Sequence, residues 1–210
     1  MSEIIYTQLT EALAKPVEEL IHICFTGDMP EEDQYNEREL IELAQLFPEG
    51  NYVALAGERV IGIGTGIFTD IDFDDLPPTE YDLLYTDERN NHDPNGSYYF
   101  GSDLAVHPEF RGQGIARGLY ERRKGAVLKF NKKGFAAAAV LPGYKHHKHA
   151  MSAEDYVKQV IAGEVFDPTL SVQIRNGFQV IRPLKDFFEY TPSENWAAII
   201  LWENPEYHAG

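Results

Sequence analysis

Tyr98-Tyr99-Phe100-Gly101-Ser102-Asp103-Leu104-Ala105-Val106, then His107-Pro108-Glu109-Phe110, then Arg111-Gly112-Gln113-Gly114-Ile115-Ala116-Arg117: this stretch decides the fold. Its first segment reads as one buried strand, with Tyr98, Phe100, Leu104 and Val106 on one face and Tyr99, Asp103 and Ala105 on the other. Pro108 has no N–H, so the ladder stops there, and His107 before it is held extended. Gly112 and Gly114 let the backbone approach a ligand where a Cβ would obstruct it. The residues after them read as the first turn of a helix, whose free N–H groups and macrodipole favour an anion. Two glycines two apart also fit an ordinary strand–turn–helix connection, so both readings stand at this point. Nucleotide loops fit less well. No Gly-Lys-Ser/Thr follows, and Gly-x-Gly-x-x-Gly is not met.

Around this stretch the chain is globular in composition, with 43% hydrophobic residues in 210. One domain with a proper core is expected over residues 1–210, with insertions at 69–96 and 145–166. No apolar run is long enough to span a membrane. The first residues show no basic region followed by a long apolar core, so no signal peptide is expected. A single cysteine, Cys24, excludes an internal disulfide and leans toward a cytoplasmic protein. It ends an apolar helix pattern and reads as a small buried hydrophobe. The net charge of −16 argues against nucleic-acid binding. The charge is unevenly spread. Arg111 to Lys148 holds ten Lys/Arg against Glu121 alone, and Thr69 to Asn95 holds nine Asp/Glu against Arg89 alone. Since salt screens surface charge over about 8 Å, the basic stretch can hold an anionic cofactor on an acidic protein. It also fits a solvated helix face.

In chain order, Ile4 to Gln8 reads as a strand, and a helix runs from a Thr10 cap to about Phe25. A second helix covers Asn36 to Phe47. Tyr52 to Ala56 and Val60 to Phe68 read as two strands around Gly57-Glu58-Arg59. The acidic segment 69–96 is either a wall that draws in a cationic amine or a solvated excursion. The central helix buries Ile115, Leu119, Ala126, Val127 and Phe130. Phe135 to Leu141 is a further strand. His146, His147 and His149 lack a partner at ligand spacing, so no metal site is expected. Helices follow from Ser152 and over Thr169–Asn176, and Val180-Ile181 and Trp196–Trp202 close the sheet.

Arg111-x-x-Gly114-x-Ala116 after Leu104-Ala105-Val106 resembles the phosphate-loop motif of the Gcn5-related N-acetyltransferase (GNAT) superfamily. The order of elements from Ile4 to Trp202 is similar to that of the superfamily. His92-Asp93-Pro94-x-Gly96, Gly101-x-Asp103, Val106-His107-Pro108, Pro142-Gly143-Tyr144, Met151-Ser152-Ala153-Glu154-x-Tyr156-Val157 and Asp167-Pro168-Thr169-Leu170-Ser171 with Arg175-Asn176-Gly177-Phe178 resemble more closely the acetyltransferase-type domain fused ahead of carbon–nitrogen hydrolases. The resemblance implies an α/β (α+β) GNAT fold. Its sheet is mixed and mostly antiparallel, of about six or seven strands, with splayed middle strands and flanking helices.

The resemblance also implies a mechanism. Acetyl-CoA would lie in the splay, its arm paired with the backbone of Leu104, Ala105 and Val106. The Leu104 N–H would polarise the thioester carbonyl. Amides from Gly112, Gln113, Gly114, Ile115, Ala116 and Arg117, beside Arg111, would hold the pyrophosphate, and Lys and Arg of the following helix the outer phosphate. A primary amine, small-molecule or protein, would attack directly, and Asp103 is the candidate base for it. The superfamily's proton-donating tyrosine, four residues before Gly177-Phe178, is Gln173 here. Tyr144 or Ser171 could stand in, or the thiolate could leave unassisted. That departure keeps open a second reading, a non-catalytic acyl-CoA sensor or accessory module. A homodimer, frequent in the superfamily, is left open as well.

Overall fold

The computed structural model describes residues 3–87 and 89–209. It begins with β1 (Ile4–Gln8), α1 (Glu11–Phe25) and α2 (Glu37–Leu46). The start of α2 is fixed by a capping box. The Asn36 side chain accepts from the Glu39 N–H while the Glu39 carboxylate accepts from the Asn36 N–H. Next come β2 (Tyr52–Ala56), β3 (Arg59–Gly64) and β4 (Ile67–Thr69). Then follow a short α3 (Glu80–Leu84) and a small hairpin of β5 (Tyr85–Thr86) and β6 (Arg89–Asn90). The central segment is β7 (Tyr98–Gly101), β8 (Leu104–Val106), α4 (Ile115–Lys129) and β9 (Gly134–Val140). The chain closes with α5 (Ala153–Ala162), α6 (Leu170–Arg175), β10 (Gln179–Lys185) and β11 (Trp196–Glu203).

The strands form a four-stranded sheet in the order β1-β2-β3-β8 and a five-stranded sheet in the order β10-β11-β9-β7-β4. All pairs are antiparallel except β7 with β9. Two segments that the residue pattern reads as single strands are each divided between the sheets. Val60–Phe68 breaks at Thr65-Gly66, and Tyr98–Val106 breaks at Ser102-Asp103. The breaks lock onto each other. Thr65 N–H donates to the Asp103 carbonyl (2.9 Å), Ser102 N–H to the Thr65 carbonyl (3.2 Å), and Asp103 N–H to Thr65 Oγ1 (3.0 Å). Buried Thr65 thus supplies by side chain the hydrogen bond that a continuous ladder would have made. Gly66 is required here, since a Cβ would collide with the Tyr99 ring and the Phe100 carbonyl.

Core packs on both faces. Leu20, Ile21, Leu40 and Leu43 of α1 and α2 cover Ile63, Phe100, Ala105 and Ala136. On the opposite face Tyr120 and Val127 of α4, with Tyr156, Val160 and Leu170, cover Phe135, Ala137, Ala139, Ala198 and Ile200. The acidic segment is more than a solvated excursion. Its Leu83 and Leu84 are buried with the α1–α2 core, and Ile71, Phe73 and Leu76 pack against it. Phe130, expected in the buried stripe of α4, is instead its C-cap and 38% exposed.

Candidate active site

The site grows from the separation of β8 and β9. β7 runs parallel to β9 from Tyr98–Gly134 to Gly101–Ala137. After the break, β8 pairs only with β3, so the β8 edge that would continue along Ala138 to Val140 is open. The Thr65 N–H to Asp103 carbonyl and His107 N–H to Ile61 carbonyl bonds set the alternation of this antiparallel pair. By that alternation Ala105 exchanges bonds with Ile63, while the N–H groups of Leu104 and Val106 point away from β3, into the gap. Asp103 and Ala105 face the α1–α2 side, and Leu104 faces α4.

At the end of β8 the turn leads to the expected loop. Pro108–Phe110 form one tight turn, and Gly112 and Gly114 take φ of +77° and +80°. Both glycines face open space where a Cβ would stand. Gly114 is the N-cap of α4 and supplies no side chain to it. Among the described residues, no protein acceptor takes the N–H groups of Gly112, Gln113, Gly114, Ile115, Ala116 or Arg117. Six such donors follow one another at a helix N-terminus, where backbone N–H groups favour an anion.

The side chains around the loop make contacts of their own. Arg111 turns back, its Nε donating to the Val106 carbonyl at 3.1 Å, where the Cys24 thiol also points at 3.5 Å. Arg117 pairs with Glu121 at 2.9 Å. Arg122 lies over the Tyr6 ring, and Lys124 donates to the Asn176 carbonyl. Burial brings the Lys124 ammonium down to about 8. Arg117, Arg122 and Lys124 thus have partners within the protein, while the loop amides have none among the described residues. Arg123, read from sequence as part of a basic run, is 2% exposed.

On the α1–α2 side, burial pushes the Asp103 carboxyl up to about 7; the Arg123 charge opposes this and Glu39 adds to it. The carboxylate is half-buried and makes no hydrogen bond among the described residues. Near it the Tyr35 hydroxyl donates to Ser102 Oγ at 3.0 Å, and Ser102 Oγ lies 2.9 Å from Thr65 Oγ1. Glu80 at the start of α3 is raised well above the usual carboxylate range by burial, then by Asp103 and Asp33. Residue reasoning did not single out Glu80, which was one of nine acids in its segment; the buried Leu83 and Leu84 after it were the available signal.

Tyr144 lies beyond β9, packed against Tyr156, and its hydroxyl donates to the Met151 carbonyl at 3.3 Å. Ser171 Oγ accepts from the Asp167 N–H at 2.9 Å. Both stand-ins for the missing tyrosine are thus used in holding α5, α6 and the preceding turn together. Among the described residues no three His, Cys, Asp or Glu are grouped to hold a metal ion, and no helix is long and apolar enough to cross a membrane.

A family model described as "Acetyltransferase (GNAT) family" matches residues 14–140, from α1 through β9. The chain belongs to the GNAT family. The family is one of acetyltransferases. The chain is 30% identical over 197 residues to "Probable hydrolase YhcX" of Bacillus subtilis (strain 168), covering 92% of this chain and 38% of that protein. The chain thus spans little more than a third of that relative. It is 28% identical over 194 residues to "Uncharacterized N-acetyltransferase YkwB" of the same organism, covering 91% and 86% respectively. The loading GNATL domain of CurA from Lyngbya majuscula shares the fold at a TM-score of 0.81 and 14% identity, over 97% of this GNAT chain and 98% of that one.

Proposed function

We propose that this GNAT protein transfers an acetyl group from acetyl-CoA to a primary amine by direct attack, acting as one acyl-CoA-binding domain. The observation that carries this reading is the set of six unpaired amides from Gly112 to Arg117 at the end of a strand that leaves its neighbour. The diphosphate would sit on those amides. The pantetheine arm would lie along the open edge of β8, and the Leu104 N–H would meet the thioester carbonyl. The amine would enter from the α1–α2 side. A lysine-like amine is protonated at neutral pH, with a pKa of about 10.4, and needs a base. Asp103, with its carboxyl lifted to about 7, has the right strength and faces that side.

The test has two arms. Calorimetry with acetyl-CoA should show binding by the wild type and none by Gly114→Trp, which should still melt cooperatively though at a lower temperature, its positive φ being strained for any side chain. Thiol release from acetyl-CoA should depend on an added amine across a panel of polyamines, amino acids and peptides. The presence of Gln173 at the customary tyrosine position favours a second reading, a cofactor sensor or accessory module. Tight acetyl-CoA binding with no amine-dependent release would select it.

A further inference from the structure

α4 lies across both half-sheets, and Arg123 stands at the point where they part. Leu119, one turn earlier, packs with Ala54 and Ile61 of the first sheet. Val127, one turn later, packs with Phe135 and Ala137 of the second. Arg123 between them is 2% exposed. Two glycines leave the space it fills. A Cβ on Gly64 would come within 2.8 Å of its Nε, and one on Gly101 within 3.2 Å of its Nη1. Gly64 is the cross-strand partner of Leu104 in the half-sheet that swings away, and Gly101 is the last β7 residue paired with β9. The guanidinium carbon also lies 4.9 Å from the ring centroid of Phe135 on β9. The guanidinium therefore lies against both arms of the fork at its vertex.

Arg123 Nη1 donates to the carbonyls of both strand breaks, Thr65 at 3.3 Å and Asp103 at 3.4 Å. Its Nε and Nη2 are buried with no partner among the described residues. A buried charge left half-satisfied is costly, and a packed apolar side chain would join α4 to the sheets without that penalty. Nor do the two carbonyls depend on it. The Ser102 N–H donates to Thr65 at 3.2 Å, and the Thr65 N–H to Asp103 at 2.9 Å. What Arg123 adds is a rigid, planar group tied to both breaks at once. A flexible apolar chain would fill the same hole and hold neither carbonyl.

We propose that Arg123 is a positioning residue for the cofactor, a wedge that holds β8 away from β9 so that the arm of acetyl-CoA can lie along the open edge. The proposal rests on the acetyl-CoA reading above. It divides the cofactor site into two halves that respond differently. The amides from Gly112 to Arg117 lie in the loop and the first turn of α4, away from the fork. The N–H groups of Leu104 and Val106 lie on the strand that the wedge holds out. Removing the wedge therefore loosens the grip on the arm and spares the grip on the diphosphate.

The experiment is calorimetry on wild type, Arg123→Met and Arg123→Lys with two ligands. One is acetyl-CoA; the other is ADP, which carries a diphosphate without the arm. Arg123→Met should bind acetyl-CoA about 30-fold more weakly, the equivalent of two ordinary hydrogen bonds at the β8 edge. It should bind ADP with the wild-type affinity. It should melt no lower than wild type, because neither break carbonyl loses its backbone donor. Arg123→Lys keeps the charge without the planar fork and should show the same split between ligands; it decides the matter if the methionine variant fails to fold. Wild-type affinity for acetyl-CoA in a folded variant, or an equal loss for both ligands, would make Arg123 a packing residue and overturn the proposal. So would failure of both variants to fold. A wild type that binds neither ligand would sink the acetyl-CoA reading itself, and the proposal with it.

Discussion

Replacing Asp103 with asparagine removes one ionisable group and leaves the backbone lock around it in place, because Asp103 bonds to the described residues through main-chain atoms. The carboxyl titrates near about 7. A base must be ionised to accept a proton, so about one molecule in eleven is competent at pH 6 and about ten in eleven at pH 8. Wild-type kcat/KM should therefore rise about tenfold over that span. Asp103→Asn should lose that limb and about 100-fold or more in turnover. Stability should move the other way. The folded pKa lies above the unfolded value of about 3.9, so between about pH 4 and 7 the native state binds more protons than the unfolded chain, and stability falls as pH rises. Below pH 4 the carboxyl is neutral in both states and costs nothing; above pH 7 the whole cost is present. The span between the two values sets a ceiling of about 4 kcal/mol. Residual solvent contact of a half-buried carboxyl cuts this to about 2 kcal/mol. Asp103→Asn should then melt about 4–8 °C above wild type at pH 8 and at the wild-type temperature at pH 4. Amine-dependent thiol release from pH 5.5 to 9 and thermal melts at both pH values read the two effects. A flat wild-type profile, or wild-type turnover in the asparagine variant, would refute the base; equal melting at pH 8 would refute the buried charge.

Gly114→Trp should abolish acetyl-CoA binding by calorimetry with a cooperative melt retained, since the side chain enters open space beside the free amides. Tyr144→Phe should keep turnover near wild type and cost about 1 kcal/mol in denaturant unfolding, the worth of its bond to the Met151 carbonyl; a tenfold fall in kcat would instead make Tyr144 the acid. Gly64→Val should destabilise by about 2 kcal/mol or more and lower turnover, because the new Cβ meets Arg123 Nε at 2.8 Å; wild-type stability in urea would show that Arg123 yields freely.

Local chemistry made the phosphate loop legible. Pro108 had to end the strand, and Gly112 and Gly114 do take the positive φ that only glycine adopts freely. The α1 and α2 boundaries followed from apolar spacing; Thr10 sits at the N-cap of α1 as expected but its side chain makes no capping bond, and the Asn36 capping box of α2 was not read from the sequence. The two strand breaks were not legible, because a two-residue alternation continues unchanged when a strand changes sheets. Each break depends on Thr65, Ser102 and Asp103 meeting across 37 or 38 residues. Splitting those two segments accounts for the extra strands beyond the expected sheet. Arg123 was hidden inside Arg122-Arg123-Lys124. Its place four residues after Leu119 and eight after Ile115 set it on the buried stripe, but only Gly64 and Gly101, on two distant strands, make room for it. The inner partner of Tyr144 was equally out of reach, since it depends on how the turn at Pro142–His146 folds under α5.

The crossings at Thr65–Gly66 and Ser102–Asp103 divide the strands into two plates riveted where they cross, with the α1–α2 core packed on both. A strain on either plate, from a docked peptide on β1 or a load on β10, reaches the other through that rivet, through α4 and through whatever bridges β8 to β9. Hydrogen exchange should then find the plates opening as separate units in the free protein, and as one unit once a molecule spans them.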